Sequence, residues 1–240
     1  MFAYDPQLVA LTQTPPQSVS EVLQVMQTIN ATCVDGDGLK WFNWLYLQVT
    51  QTVENMINGG GFHDPEWLAE LSVQFGRLYL SALNGFLAGG YCPNCWKAMF
   101  AVRADARIAR IQFAMAGINA HINHDLCIAI VATCTATGAV PSHGTPQYSD
   151  YTSVNAPLDG LIETAKQTLH VRLLGDALPL VSHLEDTIAA WGTSAAREQA
   201  WNNAEVLWLL KNAPLVTASY LDGLDGMSTF AGKTLLVPAP

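Results

Sequence analysis

Residues Ile111 to Ala136 read IQFAMAGINAHINHDLCIAIVATCTA, and the fold turns on how this stretch is interpreted. Its one formally charged residue is Asp125, yet five polar side chains (Asn119, His121, Asn123, His124 and Asp125) crowd into seven positions with apolar residues on both sides. A helix that is apolar nearly all round is a buried one, and buried polar groups need partners. The stretch therefore predicts a central buried helix that carries either an internal hydrogen-bond network or a site. On such a helix His121 and Asp125 stand one turn apart on the same side. Their stripe runs on through Ala114, Gly117, Ile118, Ile128, Ala129 and Ala132. Small residues thus flank the pair and leave room for another helix or a ligand to come close.

Outward from this axis the pattern is helical on both sides. Ser18-Val19-Ser20-Glu21 is a capping box ahead of Val22, Leu23, Val25, Met26 and Ile29 at helical spacing. A turn at Val34–Gly38 precedes a long helix from about Leu39 to Ile57, which Gly59-Gly60-Gly61 stops. Asp64 is an N-cap with Pro65 in the first turn, and the helix that follows ends at Gly89-Gly90. A further helix is expected over Trp96–Arg103, then the central one, which stops at Gly138. Helices are again expected from Asp150 to about Leu174, from Leu178 to Trp191, and from a cap at Thr193-Ser194 through Lys211. Three prolines mark residues 1–17 as an extended lead-in, and residues 214–240 read as an irregular tail. No run of alternating strands, internal repeat or low-complexity segment interrupts the pattern. The expectation is one all-α domain over residues 1–240, with about seven to nine helices around the buried central helix.

Composition narrows the function. Charged residues make up 13%, against roughly a quarter in average proteins. So neutral a surface favours self-association, and a homo-oligomer is expected. Acidic residues outnumber basic ones 20 to 11, and the densest basic stretch, Arg103 to Arg110, is broken by Asp105. That balance argues against nucleic acid or an anionic membrane as partner. The segment Leu126–Val140 is too short for a membrane span, which needs ~20 apolar residues. The beginning MFAYDPQLVA has no basic region before an apolar run, so no signal peptide is expected. Five cysteines, an odd number, then read as reduced thiols in a cytoplasmic protein.

The candidate chemistry centres on His121 and Asp125. One nitrogen and one oxygen at this spacing can hold a divalent metal such as zinc, manganese or iron. Equally, Asp125 can orient His121 and raise its basicity for general-base work. The competing account is that Asp125 merely satisfies His121 inside the core. From elsewhere in the chain, Asp150 follows a Gly/Pro loop of the kind that ends over a pocket, and it is the best outside partner, although it would also serve as an N-cap. Asn119, Asn123 and Tyr151 are candidate substrate-binding groups. His143 and His63 are lesser candidates, and His183, beside Glu185 and Asp186, reads as a solvated face. Arg197 and Trp201, one turn apart, read chiefly as packing. Cys92-Pro93-Asn94-Cys95 is a CxxC without a second pair, which is weak as a zinc motif and has no βαβ context for redox work. P-loop, GxGxxG, GxSxG, HExxH and DDxxD patterns are all missing from the sequence.

The segment Ala116–Leu126, AGINAHINHDL, resembles the AGxNAHINxDL signature of a bacterial and fungal family defined only as a domain of unknown function. The likeness extends to Asp37–Tyr46, to Asp64–Leu68, to Asp150-Tyr151 with Val154-Asn155, and to the late Ala200-Trp201 helix, and so to most of the chain. It implies membership without a settled activity, and within its pattern the position of His124 varies. A shorter likeness links His121–Asp125 to the HxxxD zinc helix of the zinc-dependent phospholipase C and P1-type nuclease fold, whose second HxxxE/D pair this chain lacks. Three readings follow. One is an enzyme acting on a hydrophobic small molecule, of hydrolase or lyase/cyclase type and metal-dependent if the pair binds an ion. The second is a metal-free acid/base cyclase or isomerase of secondary metabolism. The third is a non-catalytic binding or scaffold protein with a structural polar core.

Overall fold

The computed structural model describes residues 1–173 and 192–238, with backbone alone at 170–173. Its first helix comes earlier than the three prolines suggest: α1 spans Asp5–Thr12 with Pro6 in the first turn. There a fixed φ suits the helix and the missing N–H has no partner to lose. The lead-in over residues 1–17 is therefore helical in its middle rather than extended. Ser18 accepts from the Glu21 amide and opens α2, Val19–Thr32. Asp37 accepts from the Leu39 amide and opens α3, Gly38–Gly59. Asp64, as its sequence position implied, accepts from the Trp67 amide and opens α4, Pro65–Ala88, which Gly89 ends in the left-handed conformation.

A short α5, Asn94–Phe100, precedes the axis of the molecule. That axis has three parts: α6, Arg110–Ala120; a π-helical segment, His121–Asp125; and α7, Leu126–Thr137. Every side chain from Ile111 to Ala120 is buried, so the sequence reading of a central buried helix is correct. The π segment falls on the polar cluster, and its i→i+5 closure is the bond from the Leu126 amide to the His121 carbonyl. Then follow α8, Pro146–Ser153; α9, Asn155–Leu173; α10, Thr193–Leu210; and α11, Pro214–Leu235. The helix expected over Leu178–Trp191 lies outside the described residues, as does His183.

The tail expected to be irregular is instead α11, one of the walls of the core. It packs along α6 and α5, while α3 lies on α6, and α4 and α10 lie on α7. Polar anchors secure it: the Gln112 amide donates to the carbonyls of Leu235 and Val237, both at 2.8 Å, and Asn119 donates to the Ser228 carbonyl at 2.7 Å. The α3–α6 contact is close because of Gly117, where a Cβ would fall inside the Phe42 ring. That approach brings Phe42 to the edge of the His121 imidazole, with ring centres 5.7 Å apart. Among the described residues there is no strand, and no helix is long and apolar enough to cross a membrane.

Candidate active site

Asp125 is the hub of the polar cluster. Its Oδ2 lies 3.0 Å from His121 Nδ1 and accepts from the Trp96 indole N–H at 2.9 Å. Its Oδ1 lies 2.7 Å from His124 Nδ1. Burial alone would push the carboxyl upward, but the hydrogen bonds from His121 and His124 outweigh it and hold the group below the ordinary carboxylate value. His121 moves in the opposite sense to an ion-pair partner. Burial dominates and lowers its pKa despite Asp125. The pair is therefore a carboxylate and a neutral imidazole, with the imidazole N–H on Nδ1 pointing at Asp125. For His124, burial also works downward, but the Asp125 hydrogen bond and charge, with a further contribution from Asp225, carry its pKa above the ordinary value.

The other nitrogen of His121, Nε2, is buried and has no hydrogen-bond partner among the described residues. Its ring lies face to face on Phe75, with centres 3.4 Å apart and planes within 3°. Tyr46 meets the ring edge-on at 4.4 Å. The imidazole lines an apolar cavity of about 40 Å³ together with Phe42, Tyr46, Phe75, Leu158, Ile162 and Arg197. A second cavity of about 50 Å³ shares Tyr46, Phe75, Leu158 and Arg197 with the first. Among the described residues, Arg197 is the only cation on either lining. It is buried, and its hydrogen bonds go to neutral acceptors, Asn155 Oδ1 at 2.6 Å and the Tyr151 carbonyl at 2.8 Å. Its guanidinium also stands over the Tyr151 ring, 4.0 Å from the centre.

The polar residues from Asn119 to Asp125 go to different sides. Asn119 and Asn123, bonded to each other at 3.0 Å, face a separate cleft of about 660 Å³ between α10 and α11, which Gln199, Asn203, Tyr220 and Ser228 also line. They do not line the His121 cavity. Tyr151 donates its hydroxyl to the Arg197 carbonyl at 2.7 Å and so holds Arg197 rather than pointing into the cavity itself. Asp150 is engaged elsewhere: its carboxylate accepts from the amides of His63 at 2.9 Å and Asp64 at 2.6 Å, fixing the entry to α4. Nor is it a cap for the helix after the loop, since Thr145 fills that position and Asp150 lies within α8. His143 sits at the surface between Glu198 and Glu205.

Four contributors were not singled out by sequence reasoning: Trp96, Phe75, Tyr46 and, as more than packing, Arg197. Only the last left a trace, as a cation in the helical pattern one turn from Trp201. Its helix has few buried charges to compete with it.

The class of protein is thus a single all-α domain built around a π-bulged buried helix, with a His–Asp pair at the bulge. The chain belongs to DUF5995, a family of unknown function, which matches residues 19–238. No curated protein and no solved structure matches it.

Proposed function

We propose that the protein is an acid–base enzyme acting on a hydrophobic small molecule, with His121 as proton acceptor, Asp125 as the group that orients it, and Arg197 as anchor for an anionic or carbonyl end of the substrate. One observation carries this reading: the buried, unpartnered Nε2 of His121 on the wall of an apolar cavity. Buried nitrogens without partners are rare in folded proteins and ask for an explanation. A neutral imidazole that gives Nδ1–H to Asp125 holds a lone pair at Nε2. The adjacent carboxylate stabilises the imidazolium formed when a proton is taken. Arg197 supports the same reading: among the described residues its hydrogen bonds reach no carboxylate and Asp159 acts on it only through space, so an anion would complete a buried guanidinium.

The apolar lining favours a greasy substrate, and the proton acceptor favours isomerisation, elimination or cyclisation through a stabilised carbanion or enolate. A metal held by His121 and Asp125 has less support, since Asp125 already meets three nitrogen donors. At about 40 Å³ the cavity admits a water or two but no drug-sized molecule, so a larger substrate needs its walls to open. A cytoplasmic location fits the five free thiols.

The test is deuterium exchange. Protein in D₂O is incubated with a panel of hydrophobic carboxylic acids and enones, and deuterium in the small molecules is read by mass spectrometry. We expect exchange at an acidic C–H of at least one class, lost in His121→Asn with the fold intact by circular dichroism. Arg197→Met should raise the concentration needed by at least tenfold. If no member exchanges and none shifts the thermal midpoint, the polar core is a packing device and the enzymatic reading fails.

A further inference from the structure

A second cluster lies next to the first. Cys95 on α5, His124 in the π segment and Asp225 on α11 each place one ligand atom within 4.8 Å of the others, and all three side chains are buried. We infer that these three residues form a binding site for a divalent transition metal, zinc foremost, with water in the fourth position. It shares no ligand residue with the His121 cavity, although Asp125 braces both histidines.

Three features of the site argue for a metal. The donor set is thiol, imidazole and carboxylate, the combination that suits zinc best among the common divalent ions. Roughly tetrahedral zinc with such ligands keeps their atoms about 3.3–3.7 Å apart, from bonds of ~2.0–2.3 Å. The observed spacing therefore needs only about an ångström of closure. The ligands are also held as metal ligands usually are. His124 is held through Nδ1 by Asp125 at 2.7 Å, the carboxylate–histidine arrangement that would leave Nε2 for an ion. Asp225 is fixed by the amides of Asn94 at 3.0 Å and Cys95 at 2.8 Å and by the Asn94 side chain at 2.8 Å.

The third feature is charge. Asp125 and Asp225 bring two carboxylates into one buried region, and among the described residues no Lys or Arg is hydrogen-bonded to either. A divalent cation would balance them. On binding, the ion forms a bond to Cys95 Sγ and displaces the thiol proton to solvent. It also takes the lone pair of the His124 nitrogen not bonded to Asp125 and one carboxylate oxygen of Asp225. No oxidation or reduction is involved. Cys92, the other member of the CxxC, donates to the Pro93 carbonyl at 3.5 Å and is not part of the cluster.

The probe is Co²⁺ on full-length protein first dialysed against chelator, followed by competition with Zn²⁺. Wild type should take up one equivalent and show an intense thiolate-to-cobalt band in the near ultraviolet, which Zn²⁺ abolishes. Cys95→Ser should lack the band, Asp225→Asn should bind at least tenfold more weakly, and Cys92→Ser should match wild type. Zn²⁺ should also raise the thermal midpoint of wild type, as a ligand that binds only the folded chain must. If Cys95→Ser fails to fold, wild type and Cys92→Ser decide the matter between them. Absence of the band in folded wild type, or its loss in Cys92→Ser, overturns the site.

Discussion

Asp125 serves three donors with two oxygens, and no other side chain can stand in for it. In Asp125→Asn an amide N–H₂ would meet at least one imidazole or indole N–H donor head-on. Breaking a buried charged hub of this kind costs about 3–5 kcal/mol. At ~2–4 °C per kcal/mol for a domain of this size, the thermal midpoint should fall by about 10 °C. A urea or thermal melt checks this, and a loss under 2 °C would mean the network is not as the geometry implies. Sequence alone gave the His121–Asp125 pair, because spacing of four on a helix is visible in a string of letters. It gave no sign that His124 belongs with them. Adjacent residues on a regular helix diverge, and only the π turn lets both imidazoles address one carboxylate. Asp150 misled for the opposite reason. Its loop suggested a pocket, but backbone amides of His63 and Asp64, 87 and 86 positions away, claim it, and backbone donors leave no signature in side-chain pattern.

At the scale of elements, the loop before α8 is tied to α10 by a charged contact. His143 lies 2.9 Å from Glu198 and 2.7 Å from Glu205, while Tyr148 on α8 donates to Glu198 at 2.9 Å. Hydrogen bonds to Glu198 and then Glu205 hold the His143 pKa above its ordinary value, and His143 holds Glu198 below its own. The stabilisation from His143 is full below the unfolded pKa of ~6.5 and is lost as pH rises through the raised folded one. Glu198 contributes above its unfolded value near ~4.3 and loses this as pH falls through the depressed folded one. The tie should therefore be strongest between about pH 4.5 and 6.5. His143 is exposed and both glutamates are partly exposed, so its worth is small. His143→Ala should lower the thermal midpoint by a degree or so at pH 5.5 and by nothing measurable above pH 8. An NMR titration should show His143 above the ordinary value and lowered by Glu198→Gln. Helix starts at Ser18 and Asp64 were legible because each cap is local. The start of α11 was not: Pro214 reads as a stop or as a first turn equally well, and glycines at 223, 226 and 232 weaken the helical pattern.

For the whole molecule, α11 decides whether there is a core. A chain ended after residue 213 would lose the partners of Gln112, Asn119, Asn94 and Cys95 at once. It would also expose the flank of α6, whose side chains are buried from Ile111 to Ala120. Each large apolar side chain uncovered costs about 1.5–3 kcal/mol, against a total stability of roughly 5–15 kcal/mol. The truncated protein should therefore show no cooperative melt and should bind a hydrophobic dye.

The same anchoring has a consequence for biosynthesis. Asn94 waits 131 residues for Asp225, and Gln112 waits 123 for Leu235. A helix as apolar as α6 must therefore leave the ribosome with one side uncovered while more than a hundred further residues are translated. At ~5–20 residues per second that interval lasts many seconds. Over that time the nascent chain is a client for chaperones, and its vulnerability to aggregation is set by the speed of translation as well as by the strength of the finished fold.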